Sequence, residues 1–228
     1  NELTAKMVLS DKHKRDIGSV HGGAICALYD MAMKSLLLEE DESMKITSSK
    51  IHFLKPGKGS YLKAVAKCEF LSGPYRTINC YVYDDQDNII AFATALAGKS
   101  IEHKGTVFDQ HFIEYTDQEL DGELAQHVLE NDTFQPFRDH LNVRRTIWRP
   151  NICEMKVELT QQLKEPNGSI PHSLIPILTD MAAGQVVKTL LVPIAYGLTL
   201  EITSWQMSEF ADSKELIIRA RGLNEDRK

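Results

Sequence analysis

Along the first hundred residues the apolar positions change period, and each change predicts a change of element. Residues 4–10 (TAKMVLS) alternate apolar and polar side chains, the period of a half-buried strand. GSVHGG at 18–23 breaks that alternation. From Ala24 to Glu40, Ile25, Leu28, Ala32 and Leu36 recur every three or four positions, which lines them along one face of a helix that can lie on a sheet. Four β-branched or aromatic-rich runs follow: ITSSKIHFLK, GSYLKAVAKCEFL, RTINCYVYDD and NIIAFATALAGK. They are separated by KPGKG, SGPY and DDQDN, whose Pro, Gly, Asn and Asp mark turns. One strand, one helix and four consecutive strands predict an α+β unit in which an antiparallel sheet wraps a single long helix.

The pattern then recurs. At an offset of 150 positions Gly18-Ser19 falls on Gly168-Ser169, and the run Leu28 to Ala32 (LYDMA) on Leu178 to Ala182 (LTDMA). KMVLS at 6–10 falls on KVELT at 156–160. Further on, TSSKIHF aligns with TLEITSW, and GSYLKAVAK with SKELIIRAR. Such self-similarity predicts two units of one ancestry. The expected division is residues 1–100 for the first unit, 101–150 for a polar interdomain crossing, and 151–228 for the second. Within the crossing, TDQELDGELAQHVLEN reads as a helix whose Thr116 and Glu119 resemble a capping box. The second copy has nothing matching the strands at 76–84 and 88–98. A sheet left that open exposes unpaired edges, so either the chain continues past Lys228, or residues are missing, or a partner completes the sheet, with the first two preferred.

A length of 228 residues suits two compact domains. The net charge of −6 argues against a nucleic-acid partner, and no segment is apolar for the roughly 20 residues a membrane span needs. Cys26, Cys68, Cys80 and Cys153 lie far apart, without zinc-ligand or disulfide-framework spacing, and read as reduced core thiols. The remaining histidines show no metal spacing either, so no metal is expected. NELTAKMVLSDK lacks a basic head followed by an apolar run, so no signal peptide is expected and a cytoplasmic location follows by default. The chain begins at Asn1 rather than Met, which leaves room for a processed or omitted N-terminal piece.

SVHGGAICALYDMA followed by IHFLKPGKG resembles the hotdog-fold thioesterases, in particular the phenylacetate-pathway and 4-hydroxybenzoyl-CoA thioesterase group. The resemblance rests on His-Gly-Gly at 21–23, an aspartate nine positions after that histidine, and Phe-Leu-Lys-Pro-Gly at 53–57, in that order. It covers residues 5–99 well and 153–221 weakly. It implies tandem hotdog domains, a thioesterase hydrolysing an acyl-CoA or related acyl thioester, with coenzyme A as part of the substrate rather than a cofactor, and an active site shared between paired hotdogs. Carried over, His21 and Gly22 face Asp180, while Asp30 faces the loop Ser169-Ile170-Pro171-His172-Ser173. Tandem hotdogs frequently assemble further, so a homo-oligomer is also allowed.

The chemistry of these residues can be stated independently. Glycines at the start of a helix leave backbone N–H groups accessible, and the helix dipole adds partial positive charge there. A thioester carbonyl on the Gly22 N–H would be polarised, and a helix carboxylate would activate water or attack the carbonyl. His21 would orient the group or close the pocket. The two sites are expected to be unequal: Pro171 has no N–H, and His172 and Ser173 stand where Gly22 and Gly23 stand. The His21/Gly22/Asp180 site is therefore the preferred one. Gly23, His172 and Ser173 are candidate substrate contacts, Thr47, Ser48 and Ser49 could supply a hydroxyl, and Tyr75 and Arg76 could meet coenzyme A phosphates. Arg15 stands where the family usually has an asparagine. The alternative functions are an acyl-CoA hydratase or dehydratase, and a noncatalytic acyl-CoA-binding hotdog module.

Overall fold

The computed structural model describes residues 1–15, 17–70, 75–99, 136–166, 168–190, 199–205 and 214–222. Strand β1 (Glu2–Val8) leads through a 3₁₀ turn at Asp11–His13 into helix α1 (Gly22–Glu40). Strands β2 (Met44–Phe53), β3 (Tyr61–Phe70), β4 (Tyr75–Tyr83) and β5 (Ile89–Lys99) follow. They form an antiparallel sheet in the order β1-β3-β4-β5-β2, and α1 contacts each of those strands. This α+β unit, a long helix wrapped by a sheet, is the hotdog arrangement expected from the sequence. The helix carries apolar residues on nearly every side, among them Ile25, Cys26, Leu28, Tyr29 and Met33, all buried. A helix that is apolar all round must be enclosed, here by the sheet and by a second helix.

That second helix is α3 (Leu174–Leu190), preceded by β7 (Ile152–Glu158) and followed by β8 (Glu201–Trp205) and β9 (Glu215–Arg221). The order strand, helix, strand, strand repeats that of the first half, and the sequence repeat maps β2 onto β8. These two matched strands pair antiparallel, with Ile51 opposite Ile202 and Ser49 opposite Ser204, so β8 is the sixth strand of the first sheet. Hydrogen bonds of 3.1 Å between Tyr29 Oη and Ser49 Oγ and 3.0 Å between Ser49 Oγ and Ser204 Oγ tie α1, β2 and β8 together. Among the described residues no strand corresponds to β4 or β5 in the second half: β8 ends one sheet and β9 ends the other.

The polar crossing departs from its sequence reading. Its described part holds a short helix, α2 (Pro136–His140), and a strand, β6 (Val143–Arg149), which pairs with β7 to give a three-stranded sheet β6-β7-β9. A register shift between Arg145 and Ile147 breaks the strand's alternation, so that Val143 and Trp148 are both buried although five positions apart. Three arginines in seven residues hide the strand further; one of them, Arg145, lies over the Trp148 ring at 3.8 Å. The helix expected at 116–131 lies outside the described residues.

Candidate active site

The N-terminus of α1 is capped by a side chain. His21 is extended at φ −67° and ψ 137°, and its Nδ1 accepts the Gly23 N–H at 3.0 Å. Its own N–H donates to the His13 carbonyl at 2.8 Å, which anchors the cap to the 3₁₀ turn. Among the described residues no acceptor stands against the Gly22 N–H. That donor stands at the N-terminus of a 19-residue helix, the positive end of its dipole.

Both glycines are required by close neighbours rather than by φ. A Cβ on Gly22 would lie 2.7 Å from Asp180 Oδ2, and one on Gly23 would lie 2.7 Å from Phe137 Cε1. Asp180 comes from α3, in the second half, and is 8% exposed. Its Oδ1 accepts a 2.6 Å hydrogen bond from Thr199 Oγ1, just before β8, while Oδ2 points at Gly22 and lies 3.3 Å from His21 Nδ1. The His21 ring stacks on Phe137 with centroids 4.7 Å apart.

That 3.3 Å distance would suit an ion pair, but the histidine is held below its ordinary pKa. Burial is the largest cause; the Asp180 charge pulls the other way, and Arg15 and Lys188 reinforce the burial. A neutral ring whose Nδ1 accepts from Gly23 carries its proton on Nε2. His21 thus caps α1 and lines the cavity, with Asp180 Oδ2 beside it. Cys26, buried on the same helix, has its thiol pushed well up by burial and by the Asp180 and Asp30 charges, so it remains a protonated core residue.

These groups line a cavity of about 510 Å³. Its inner wall is largely apolar, with Val20, Ile25, Phe53 and Met181 beside Gly22 and Asp180. Five basic residues, Lys14, Arg15, Lys55, Arg138 and Lys188, also line it, against two acids, Asp180 and Glu201. Glu201 pairs with Lys50 at 2.8 Å, and of the five cations Lys14 pairs with Asp11 and Arg138 with Asp139, each at 3.3 Å. On a chain of net charge −6 this is a local concentration of positive charge.

The structure brings His21, Gly22 and Asp180 together, and leaves other sequence candidates elsewhere. Asp30 is 1% exposed and does not line the cavity: Oδ1 is 3.1 Å from His172 Nδ1, and Oδ2 accepts the Ser173 N–H at 3.1 Å. Both oxygens of Asp30 are thus engaged by His172 and Ser173 rather than turned to the cavity. The Gly23 N–H is taken by His21, and Phe137 covers the Gly23 α-carbon. Thr47 sits at the β2 bulge and donates to the Leu96 carbonyl at 3.1 Å, and Ser48 follows it on the strand; neither lines the cavity. Tyr75 is 48% exposed at the start of β4, and Arg76 donates to the Tyr75 carbonyl at 3.0 Å, again away from the cavity.

Three contributors escaped sequence reasoning. Thr199 was within reach, because the repeat alignment places it on Thr47 and so transfers the candidate hydroxyl to the Asp180 side. Phe137 and Arg138 lie in the crossing, outside both repeats, where no pattern marked them. Among the described residues no group of three or more His, Cys, Asp or Glu is placed to hold a metal ion.

No family model matches the chain, and no curated protein matches it. Solved structures do. The BH2602 protein from Bacillus halodurans with CoA is 27% identical, with a TM-score of 0.40 over 42% of this chain and 66% of that one, just under two thirds of its length. The E. coli PaaI protein from the phenylacetic acid degradation operon is 18% identical, with a TM-score of 0.42 over 44% of this chain and 73% of that one. A Q32A mutant of the thioesterase enzyme SAV0944 from Staphylococcus aureus is 19% identical, with a TM-score of 0.39 over 43% of this chain and 86% of that one. The chain is thus similar to structures that each correspond to less than half of it.

Proposed function

We propose that this chain is a tandem double-hotdog protein that hydrolyses acyl thioesters, with acyl-CoA as substrate, at one composite site built from both halves. The observation that carries this reading is the approach of Asp180 Oδ2 to Gly22, so close that a Cβ there would be 2.7 Å away. It sets a carboxylate from one helix against a backbone donor at the N-terminus of the other.

The thioester carbonyl oxygen rests on the Gly22 N–H, where a preorganised donor of this kind is worth ~10²–10³ in rate. Thr199 holds Oδ1 and leaves Oδ2 to remove a proton from attacking water, or to bond the carbonyl carbon itself. With water as nucleophile the tetrahedral intermediate collapses, the C–S bond breaks, the sulfur leaves as thiolate and takes a proton, and the acid carries the water oxygen; with Asp180 as nucleophile the same collapse leaves an acyl–aspartyl anhydride, whose C–O bond water then breaks, freeing the acid and restoring the carboxylate. No metal or redox cofactor enters. The apolar wall accepts the acyl chain, and the cations lining the cavity, in place of Tyr75 and Arg76, meet the phosphates of coenzyme A.

The test is thiol release from acyl-CoA thioesters of increasing chain length, in water enriched in oxygen-18. Hydrolysis labels the released acid, and Asp180→Asn lowers turnover ~10³-fold or more while the fold persists. Water added across a carbon–carbon double bond with the thioester intact would instead identify a hydratase. No reaction from a folded chain would identify a binding module.

A further inference from the structure

Phe137 belongs to neither sequence repeat. It is carried by α2, in the segment joining the two halves, and α2 packs against the 3₁₀ turn whose His13 carbonyl holds the His21 N–H. The ring is 7% exposed and lies over the His21 imidazole, with centroids 4.7 Å apart and planes 24° from parallel. Its edge also closes on the α-carbon of Gly23, where a Cβ would be 2.7 Å from Cε1. One side chain therefore touches both partners of the cap hydrogen bond. An uncovered imidazole at an N-cap could rotate about χ1 and χ2, and each rotation would swing Nδ1 off Gly23; packing against a flat ring restricts that freedom.

We propose that Phe137 is a positioning residue of the site: by holding the His21 ring flat it fixes Nδ1 on the Gly23 N–H, leaves the Gly22 N–H as the donor open to the cavity, and keeps the imidazole beside Asp180 Oδ2. The crossing segment thus completes a site that the two repeats do not finish by themselves. The kinetic consequences rest on the hydrolase reading; the placement of the ring does not.

The groups that face His21 set the sign of a second consequence. They are the Gly23 N–H from α1, Asp180 and Lys188 from α3, Arg15 from the segment before α1, and the uncharged Phe137 from α2. Asp180 favours the protonated ring, the two cations oppose it, and burial, which Phe137 supplies on one face, outweighs the carboxylate. Replacing Phe137 by a side chain without a ring admits water and lets the His21 pKa climb towards the ordinary value of about 6.5.

The experiment compares native protein with Phe137→Leu, which removes the ring, and Phe137→Tyr, which keeps it, by NMR titration of the histidine ring protons and by steady-state kinetics. His21 is assigned by its loss in His21→Gln. In native protein the His21 ring protons should resonate upfield in the ring current of Phe137 and titrate below the usual histidine range. In Phe137→Leu that shift should vanish, the pKa should rise, and kcat should fall about tenfold or more with KM little changed, as for a misplaced active-site group. Phe137→Tyr should restore all three. Absence of the upfield shift in native protein overturns the proposal without any variant having to fold. It is likewise overturned if Phe137→Leu leaves the titration unmoved, raises only KM, or is matched in its losses by Phe137→Tyr. Native protein that shows the NMR signature but hydrolyses no thioester would leave the positioning role standing and remove the hydrolase reading.

Discussion

At one end of the α1–α3 pair Asp180 faces Gly22 across the wall of a cavity; at the other, Asp30 faces His172, the residue that the repeat sets on Gly22. The two carboxylates occupy matching places on matching helices, yet their surroundings differ in the two residues just after the cap. Where the first copy has glycines, Asp180 keeps Oδ2 beside a vacant N–H. Where the second copy has His172 and Ser173, an imidazole and a backbone N–H engage both oxygens of Asp30, and the site is filled. Pro171 stands in the place of His21 and, having no N–H, cannot repeat the bond by which His21 is anchored to the turn. The comparison teaches that a side chain at the position of Gly22 fills the space beside the facing carboxylate, with His172 Nε2 left without a hydrogen-bond partner among the described residues.

Exchanging the carboxylates tests that contrast most severely. Asp180→Asn removes turnover, whereas Asp30→Asn should keep kcat within about threefold and instead lower the unfolding free energy by about 1–3 kcal/mol, through imperfect pairing with His172 and Ser173. Equal losses of activity in both variants would make the second site a working one. Next in size, Gly22→Ala puts a methyl against Asp180 Oδ2 and should cost roughly 10²-fold in kcat, by the sensitivity of catalysis to displacements near 1 Å. Unchanged kinetics with that alanine would mean that the carboxylate does not act where it rests. Thr199→Val deletes the hydroxyl on Oδ1 and should lower kcat about tenfold, the equivalent of one hydrogen bond to a charged group.

The smallest effect is on stability against pH. Because the folded chain depresses the His21 pKa, the unfolded chain takes up that proton first. The stabilisation is complete above the unfolded value of about 6.5 and declines as pH falls from there towards the folded pKa. Denaturant midpoints of native protein should therefore drop across that window more than those of His21→Gln.

Much of this arrangement is legible in the sequence because it depends on periodicity and repetition. The α1 pattern, the turn-bounded strands and the 150-residue offset lead to a helix wrapped by a sheet and to a second copy of that plan, whereas the facing of His21 and Gly22 with Asp180 is what the resemblance to paired hotdog thioesterases implies. Hidden from that reading is whatever depends on a few contacts between segments distant in sequence. Thr47 and Ser48 look suitable as hydroxyl donors, but the bulge in β2 turns Thr47 to the Leu96 carbonyl, and Thr199 is the residue that reaches the carboxylate. Tyr75 and Arg76 look suitable as phosphate contacts, but they lie at the start of β4 while the cations around the cavity come from four separate stretches of chain.

By itself the sequence determined the helices and strands of the two repeats but not β6 and α2 in the crossing, and it showed that the first copy alone has glycines at both positions after the cap. These are local properties, set by side-chain period and by the absence of a Cβ. The tertiary structure decided that Asp30 is engaged, that Thr199 holds Asp180, and that Phe137 from the crossing lies over His21. Each of those outcomes depends on where packing brings together residues far apart along the chain, and no periodicity records such distances.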